Sequence, residues 1–282
     1  MMKRQIKDIH RQIVNSLTPK FEQHTAATLS YLVLEALYGL TRTKIIAFGD
    51  EIIDSEEDKE LEIIGKLLND MPIEYILGVR EFYGREFKVN ENVLIPRPET
   101  EELVRLIINE NSVQNPKILD IGSGSGAICV SLSLEITDSE VYGLDVSREA
   151  LEVAKENNHK LEAGVEFVEC DILKCEKLEN KYDIIVSNPP YVTNAEKVEI
   201  KNNVLNFEPH LALFVDDNDP LIFYNKIADL AFDALNVSGK LYFEINEYFS
   251  AEMVDLLTTK GYQNVHIVKD MFEKPRIVVA EK

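Results

Sequence analysis

The chain has 282 residues, 45% of them hydrophobic and 28% charged, with a formal net charge of −20. That balance belongs to a globular protein of one large or two modest domains and excludes a disordered chain. The acidity counts against a protein whose main task is to grip nucleic-acid phosphates. It is unevenly spread: residues 1–88 hold 12 Lys/Arg and 15 Asp/Glu, a net of −3, whereas residues 89–282 hold 18 and 35, a net of −17.

The most apolar stretch, Tyr31 to Leu40, is interrupted by Glu35 and falls well short of the ~18 residues a membrane span needs. The basic start (Met1-Met2-Lys3-Arg4-Gln5) has no apolar run of signal-peptide length behind it. A cytoplasmic protein with no membrane partner is therefore expected. The three cysteines, Cys129, Cys170 and Cys175, are odd in number and lack Cys-x-x-Cys spacing. They read as buried small hydrophobes. The histidines are scattered without ligand spacing, so no metal is expected.

In chain order, Ile6, Ile9, Ile13 and Leu17 recur at three- and four-residue steps and predict an amphipathic helix stopped by Thr18-Pro19. Leu29, Leu32, Val33, Ala36, Leu37 and Leu40 predict a second. A third spans about Ser55 to Leu68, with Ser55 as its cap and Glu56, Glu57 and Asp58 suited to its positive end. These make a small helical bundle. Residues 78–98 predict a β-hairpin: Phe82, Tyr83, Phe87, Val89, Val93, Leu94 and Ile95 are strand formers, broken by Gly84 and by Asn90-Glu91-Asn92. Pro96 and Pro98 end it, and Glu99, Glu101 and Glu102 open a helix.

From Lys117 onward strands and helices alternate. Strands are expected at 118–121, 141–145, 165–168, 182–187, 240–245, 265–268 and 277–280. Helices are expected at 126–135, 147–160, 219–235 and 250–259. This is an α/β pattern with a mostly parallel sheet covered by helices on both faces. Ligands in such sheets lie outside the carboxyl ends of the strands.

Two motifs sit at such ends. The first is Asp120-Ile121-Gly122-Ser123-Gly124-Ser125-Gly126-Ala127. Its glycines allow a tight turn and close approach of the backbone to a ligand, and the following helix start offers free amide hydrogens. Asp145, nineteen residues after Gly126, ends the second strand, where a carboxylate can accept both hydroxyl hydrogens of a ribose. Together these predict an adenosine-type cofactor, although Gly122, Gly124 and Ala127 also satisfy the dinucleotide fingerprint. Asp120 tips the choice, because an acid there is similar to the opening motif of the class I (seven-stranded) methyltransferases, which use S-adenosyl-L-methionine and release S-adenosyl-L-homocysteine. It either lies near the methionine amino group or braces the loop. The same resemblance implies that Asp171, after the third strand, approaches the adenine amine and that Ile172 packs on its ring; the alternative for Asp171 is an exposed loop carboxylate.

The second motif is Ile184-Ile185-Val186-Ser187-Asn188-Pro189-Pro190-Tyr191. Two prolines fix two φ angles and remove two donors, leaving a stiff loop rich in unpaired carbonyls. Asn188 adds a side-chain acceptor and Tyr191 a flat face. This set suits a planar NH₂ group, one hydrogen on the Asn188 oxygen, the other on the Pro189 carbonyl, and the plane stacked on the ring. Such a nitrogen is a poor nucleophile. Acceptors on its hydrogens orient its lone pair and stabilise developing charge, and the rest is positioning.

The two motifs together resemble the methyltransferases that act on planar NH₂ groups. Pro72 to Gly78 (PIEYILG), Glu81-Phe82-Tyr83-Gly84, Val93 to Glu101 (VLIPRPETE), Phe207-Glu208-Pro209 and Ala212-Leu213 narrow this to the release factor glutamine methyltransferases, the PrmC (formerly HemK) family. The resemblance covers nearly the whole chain. It implies a seven-stranded Rossmann-like methyltransferase sheet at 99–282, a helical substrate-docking domain at 1–76, and a hairpin linker at 77–98. It implies transfer of a methyl group to the N5 amide nitrogen of the glutamine in the Gly-Gly-Gln motif of peptide chain release factors 1 and 2. Carried over, Gly122, Ser123, Gly124, Ser125, Gly126 and Asp145 hold the cofactor, with Asp120, Asp171, Ile172 and Asn188 beside them. Asn188, Pro189, Pro190 and Tyr191 hold the glutamine, and catalysis falls to Asn188, Pro189 and Tyr191. Arg97, Glu99 and Glu208 either border the site or form surface salt bridges. Glu244-Ile245-Asn246-Glu247 departs from the pattern, and no role is expected of it.

Other readings remain at this stage: glutamine methylation of a ribosomal protein, DNA adenine methylation, a non-catalytic scaffold, or an oxidoreductase. DNA work would need a basic face and a way to extrude a base, and neither is visible. An acidic catalytic half instead suits a protein loop with basic flanks.

Overall fold

The computed structural model describes residues 2–282; residue 1 of the expected helical domain lies outside them. The chain divides into two units. One is the chain up to Gly78 together with Asn202–Phe207; the other is Val79–Lys201 with Glu208–Lys282.

In the first unit, helices span Ile6–Leu17, Gln23–Tyr38, Arg42–Ala47, Glu57–Leu68 and Ile73–Leu77. The stripe Ile6, Ile9, Ile13 and Leu17 is fully buried against Val33, Leu34, Ile63, Ile64 and Leu67, as its spacing predicts. A two-stranded antiparallel ribbon, Met2–Gln5 with Ile52–Ser55, was not expected among helices. It corrects one expectation: Ser55 ends a strand, and Glu56 stands at the helix start without a side-chain cap. Buried Glu60 accepts hydrogen bonds from Arg4 (2.9 Å) and the Tyr38 hydroxyl (2.6 Å).

The second unit opens with a hairpin, Val79–Phe82 paired with Arg85–Lys88. Its turn residues Tyr83 and Gly84 have φ of 49° and 71°, which gives the turn the twist that two-residue hairpins require. Phe82 and Phe87 meet edge to face at 5.9 Å and are fully buried. Val93, Leu94 and Ile95, expected in a strand, instead form a loop. Side-chain and backbone bonds to a distant carboxylate hold that loop, as described below.

Helices α1 (Pro98–Glu110), α2 (Ala127–Glu135), α3 (Arg148–Leu161), α4 (Ile222–Ala234) and α5 (Ser250–Thr259) accompany a seven-stranded sheet. Its strands are β1 (Lys117–Ile121), β2 (Glu140–Asp145), β3 (Glu166–Glu169), β4 (Tyr182–Ser187), β5 (Leu235–Glu244), β6 (Gln263–Lys269) and β7 (Pro275–Glu281). The spatial order is β6-β7-β5-β4-β1-β2-β3. Only β7 runs antiparallel to its neighbours. The expected mostly parallel seven-stranded sheet is therefore present.

After β3 the chain returns to lay β4 beside β1, and this reversal creates the crevice where such sheets bind ligands. The register pairs Ile121 with Ser187, the last residues of the two strands. The Ser187 hydroxyl donates to the Ile121 carbonyl at 2.6 Å. Both loops thus leave the sheet side by side. Leu119 and Ile185 are fully buried beneath them.

One close approach fixes the other flank. A Cβ built on Gly143 of β2 would lie 2.6 Å from Ser123 Oγ and 2.7 Å from the Phe167 ring. Gly143→Ala is expected to destabilise the protein by about 1–3 kcal/mol through overpacking, read as a lower midpoint in urea unfolding.

Candidate active site

The loop after β1 turns through three left-handed glycines, Gly122, Gly124 and Gly126, with φ of 79°, 55° and 80°. They differ in what surrounds them. A Cβ on Gly126 would sit 3.3 Å from Ala154 and Val130, so this position serves the packing of α2 on α3. A Cβ built on Gly122 or Gly124 would meet nothing within 4 Å among the described residues, so that side of the backbone is open to a ligand. The Gly122 and Ser123 amides donate to the Leu144 carbonyl at 2.7 and 2.9 Å, tying the loop to β2. Ser123 Oγ lies 3.2 Å from both the Asp120 and the Leu144 carbonyls and shares its one hydrogen between them.

Asp145 ends β2 and accepts from the Gly124 amide (2.8 Å) and the Ser147 amide (2.9 Å). Burial pushes its carboxyl above the usual range, while those amides pull it down. Asp120 is fully buried. One oxygen accepts from the Cys129 amide at the start of α2, at 3.2 Å. The other has no hydrogen-bond partner among the described residues. Burial pushes Asp120 up to about 7. Asn157 of α3 secures the outer side of the loop: its amide donates to the Ser125 carbonyl (2.9 Å) and the Lys88 carbonyl (3.0 Å).

These elements border a cleft of ≈ 920 Å³ including its open mouth. Gly122, Gly124, Asp145, Asp171, Ile172, Asn188, Pro189 and Pro190 all line it. Of the remaining expected site residues, Asp120, Ser123, Ser125, Gly126 and Tyr191 do not line the cleft; Asp120, Ser123 and Ser125 are buried. Asp171 pairs with Lys174 at 2.8 Å, which holds its carboxyl below the usual range. Cys170 also borders the cleft and, like Cys175, is half-buried, so only Cys129 fits the buried reading. The donor set suits an adenosine cofactor: open glycine backbone, a carboxylate at the second strand end and an apolar wall. Among the described residues no group of His, Cys, Asp or Glu is arranged to hold a metal ion.

Asn92, Val93 and Leu94 also line the cleft, and Glu208 holds the loop that carries them. This buried carboxylate accepts from the Ile95 amide (3.1 Å) and from Arg97 (2.7 Å). Of the two readings for Arg97 and Glu208, the pair is a half-buried brace of the cleft rather than a surface salt bridge. Glu99 is half-buried at the start of α1.

Behind Asn188 lies a cluster that sequence reasoning missed. Glu244, at the end of β5 and only 1% exposed, accepts from the Thr100 hydroxyl at 2.7 Å and the Tyr191 hydroxyl at 3.3 Å. The Asn188 amide donates to Thr100 Oγ1 at 3.4 Å. Burial pushes Glu244 up, against the pull of the Thr100 hydroxyl and the Arg276 charge. Burial and the neighbouring Glu244 push the Tyr191 phenol up. Asn246 donates to the Tyr191 carbonyl (3.3 Å) and to Glu196 (3.1 Å).

Comparison with known proteins accounts for both units. The "PrmC N-terminal domain" description matches residues 12–78, and "Methyltransferase domain" matches residues 112–269. A release factor glutamine methyltransferase of Flavobacterium psychrophilum is 45% identical, over 97% of this chain and 98% of that one. The chain belongs to the release factor glutamine methyltransferase family. Another member, from Bacteroides thetaiotaomicron, is 44% identical over 96% of this chain and 98% of its own. A methyltransferase structure from Pyrococcus furiosus matches with a TM-score of 0.52 at 19% identity, covering 77% of this chain and 96% of that one, which speaks for the fold.

A weak signal for two of the missed residues was present. Thr100, Leu103, Val104 and Ile107 form the buried stripe of α1, and Ala150, Val153, Ala154 and Asn157 that of α3. A lone polar residue in such a stripe must find a buried partner.

The raised Asp120 carries a pH signature. A carboxyl that holds its proton longer when folded than when unfolded loses stability as pH rises between the two values. The stability gained by Asp120→Asn over wild type is therefore expected to grow from the ordinary carboxylate range up to about 7 and then level off. Its full extent is on the order of 4 kcal/mol. Chemical denaturation of the ligand-free protein across that range measures it.

Proposed function

We propose that this protein transfers a methyl group from S-adenosyl-L-methionine to the N5 amide nitrogen of the Gly-Gly-Gln glutamine in release factors 1 and 2. The observation that carries the reading is the pairing of Ile121 with Ser187, which brings the glycine loop and the Asn-Pro-Pro-Tyr loop to one cleft. Bound there, the cofactor supplies an electrophilic methyl on a sulfonium sulfur, and S-adenosyl-L-homocysteine remains after transfer.

The chain's own residues do the rest. Gly122 and Gly124 offer close backbone approach, Asp145 accepts ribose hydroxyls, and Asp171 and Ile172 face the adenine. Asp120 and Ser125 hold the loop in shape. The Asn188 side-chain oxygen and the Pro189 carbonyl accept the two hydrogens of the target amide, Pro190 stiffens the loop, and Tyr191 backs the amide plane. This fixes the nitrogen lone pair toward the methyl and stabilises the positive charge that develops as the N–C bond forms. The nitrogen, made strongly acidic by the new bond, then loses one proton to water, which restores the neutral amide. No metal is used. The helical unit docks the release factor, the enzyme works in the cytoplasm, and nucleic acid is not its substrate.

Purified protein is expected to move label from methyl-labelled cofactor into intact release factor, and not into a factor whose loop glutamine is replaced. Asn188→Ala is expected to lower turnover by about 100-fold or more while cofactor still binds. Absence of label in the intact factor, with cofactor binding demonstrated, overturns the reading.

A further inference from the structure

Asn188 has two chemically different ends on one planar group, and the reading above needs its oxygen, not its nitrogen, facing the target. Nothing in the loop itself decides between them. A 180° turn of the amide exchanges donor for acceptor with almost no change in shape.

The surroundings decide it in two steps. Glu244 is buried at the end of β5 with a hydroxyl donating to each of its oxygens, Thr100 to Oε2 and Tyr191 to Oε1. The Thr100 hydroxyl lies 2.7 Å from Glu244 Oε2 and has one hydrogen, which is committed to that oxygen. Thr100 Oγ1 is left with lone pairs alone. The neighbour 3.4 Å away must therefore be a donor, and Asn188 turns its NH₂ to Thr100. Its oxygen is left for the cleft that Asn188 lines. The second Glu244 oxygen accepts from the Tyr191 hydroxyl at 3.3 Å, so one carboxylate holds both ends of the acceptor loop. The Tyr224 hydroxyl donates to the Glu244 carbonyl at 2.9 Å and fixes the strand end itself.

We propose that Glu244 and Thr100 are positioning residues that set the orientation of the Asn188 amide, so that its oxygen meets the hydrogens of the target nitrogen. The proposal rests on the amide-methylation reading for its consequence in turnover, though not for the orientation itself. Neither residue needs to touch substrate or cofactor.

Thr100→Val keeps the shape and removes the hydroxyl; Thr100→Ser restores it. On release factor, Thr100→Val is expected to lower kcat by about 10- to 100-fold with cofactor affinity unchanged, and Thr100→Ser to recover most of it. Glu244→Gln, whose amide can donate as well as accept, is expected to lose kcat similarly. A merely structural role would lower the amount of folded enzyme and leave kcat per folded molecule intact. Equal activity of Thr100→Val and wild type, or equal loss in Thr100→Val and Thr100→Ser, overturns the proposal. Wild type that methylates nothing overturns the functional reading instead. In that event the orientation is still read without substrate, from the Asn188 side-chain NH₂ signals, assigned by their loss in Asn188→Ala. One hydrogen is expected to exchange slowly with solvent in wild type and quickly in Thr100→Val; no difference overturns the proposal.

Discussion

Everything at the site depends on two strands ending level with each other. Were β4 shifted by one residue against β1, the side chains that follow would change faces and Asn188 would leave the crevice. The register is held by the parallel ladder from Ile118–Ile184 to Ile121–Ser187, and the Ser187 hydroxyl adds a bond onto the Ile121 carbonyl. A glycine loop tied to β2 and α3 and a stiff proline loop then start from adjacent points.

Three carboxylates stand at strand ends around that junction: Asp120 is the penultimate residue of β1, Asp145 ends β2 and Glu244 ends β5, with Asp120 and Glu244 buried and Asp145 half-buried. Burying a carboxylate is unfavourable unless donors surround it. Here the donors are the Gly124 and Ser147 loop amides, the Cys129 amide in the first turn of α2, and the Thr100 hydroxyl in the first turn of α1. The acids therefore convert irregular loops into fixed geometry; burial raises their proton affinity, and the donors that hold the loops offset part of that rise.

Much of the architecture was legible because it is written locally. Apolar runs of strand length, the proline pair and the glycine run each carry their own conformational preference, and the seven strands follow from them in order. The ribbon of Met2–Gln5 was not, because a four-residue segment with three polar side chains takes strand form only through a partner some fifty positions away. The loop 93–95 reads as a strand by residue type, yet it has no neighbouring strand and is held by Glu208 instead. Thr100 and Glu244 are separated by 144 positions, and no local pattern links them. Local preference identifies elements; it does not say which side chains the fold brings together.

The acceptor loop also determines what it leaves out. In the proposed arrangement the target meets a carbonyl and a side-chain oxygen, which offer lone pairs. A carboxylate brings only lone pairs of its own, so it meets repulsion where an amide meets two hydrogen bonds. Glutamine and glutamate differ in little else. On the proposed arrangement, a target glutamine that has deamidated is refused at the point of contact, and chemical damage to the acceptor is screened by polarity rather than by size.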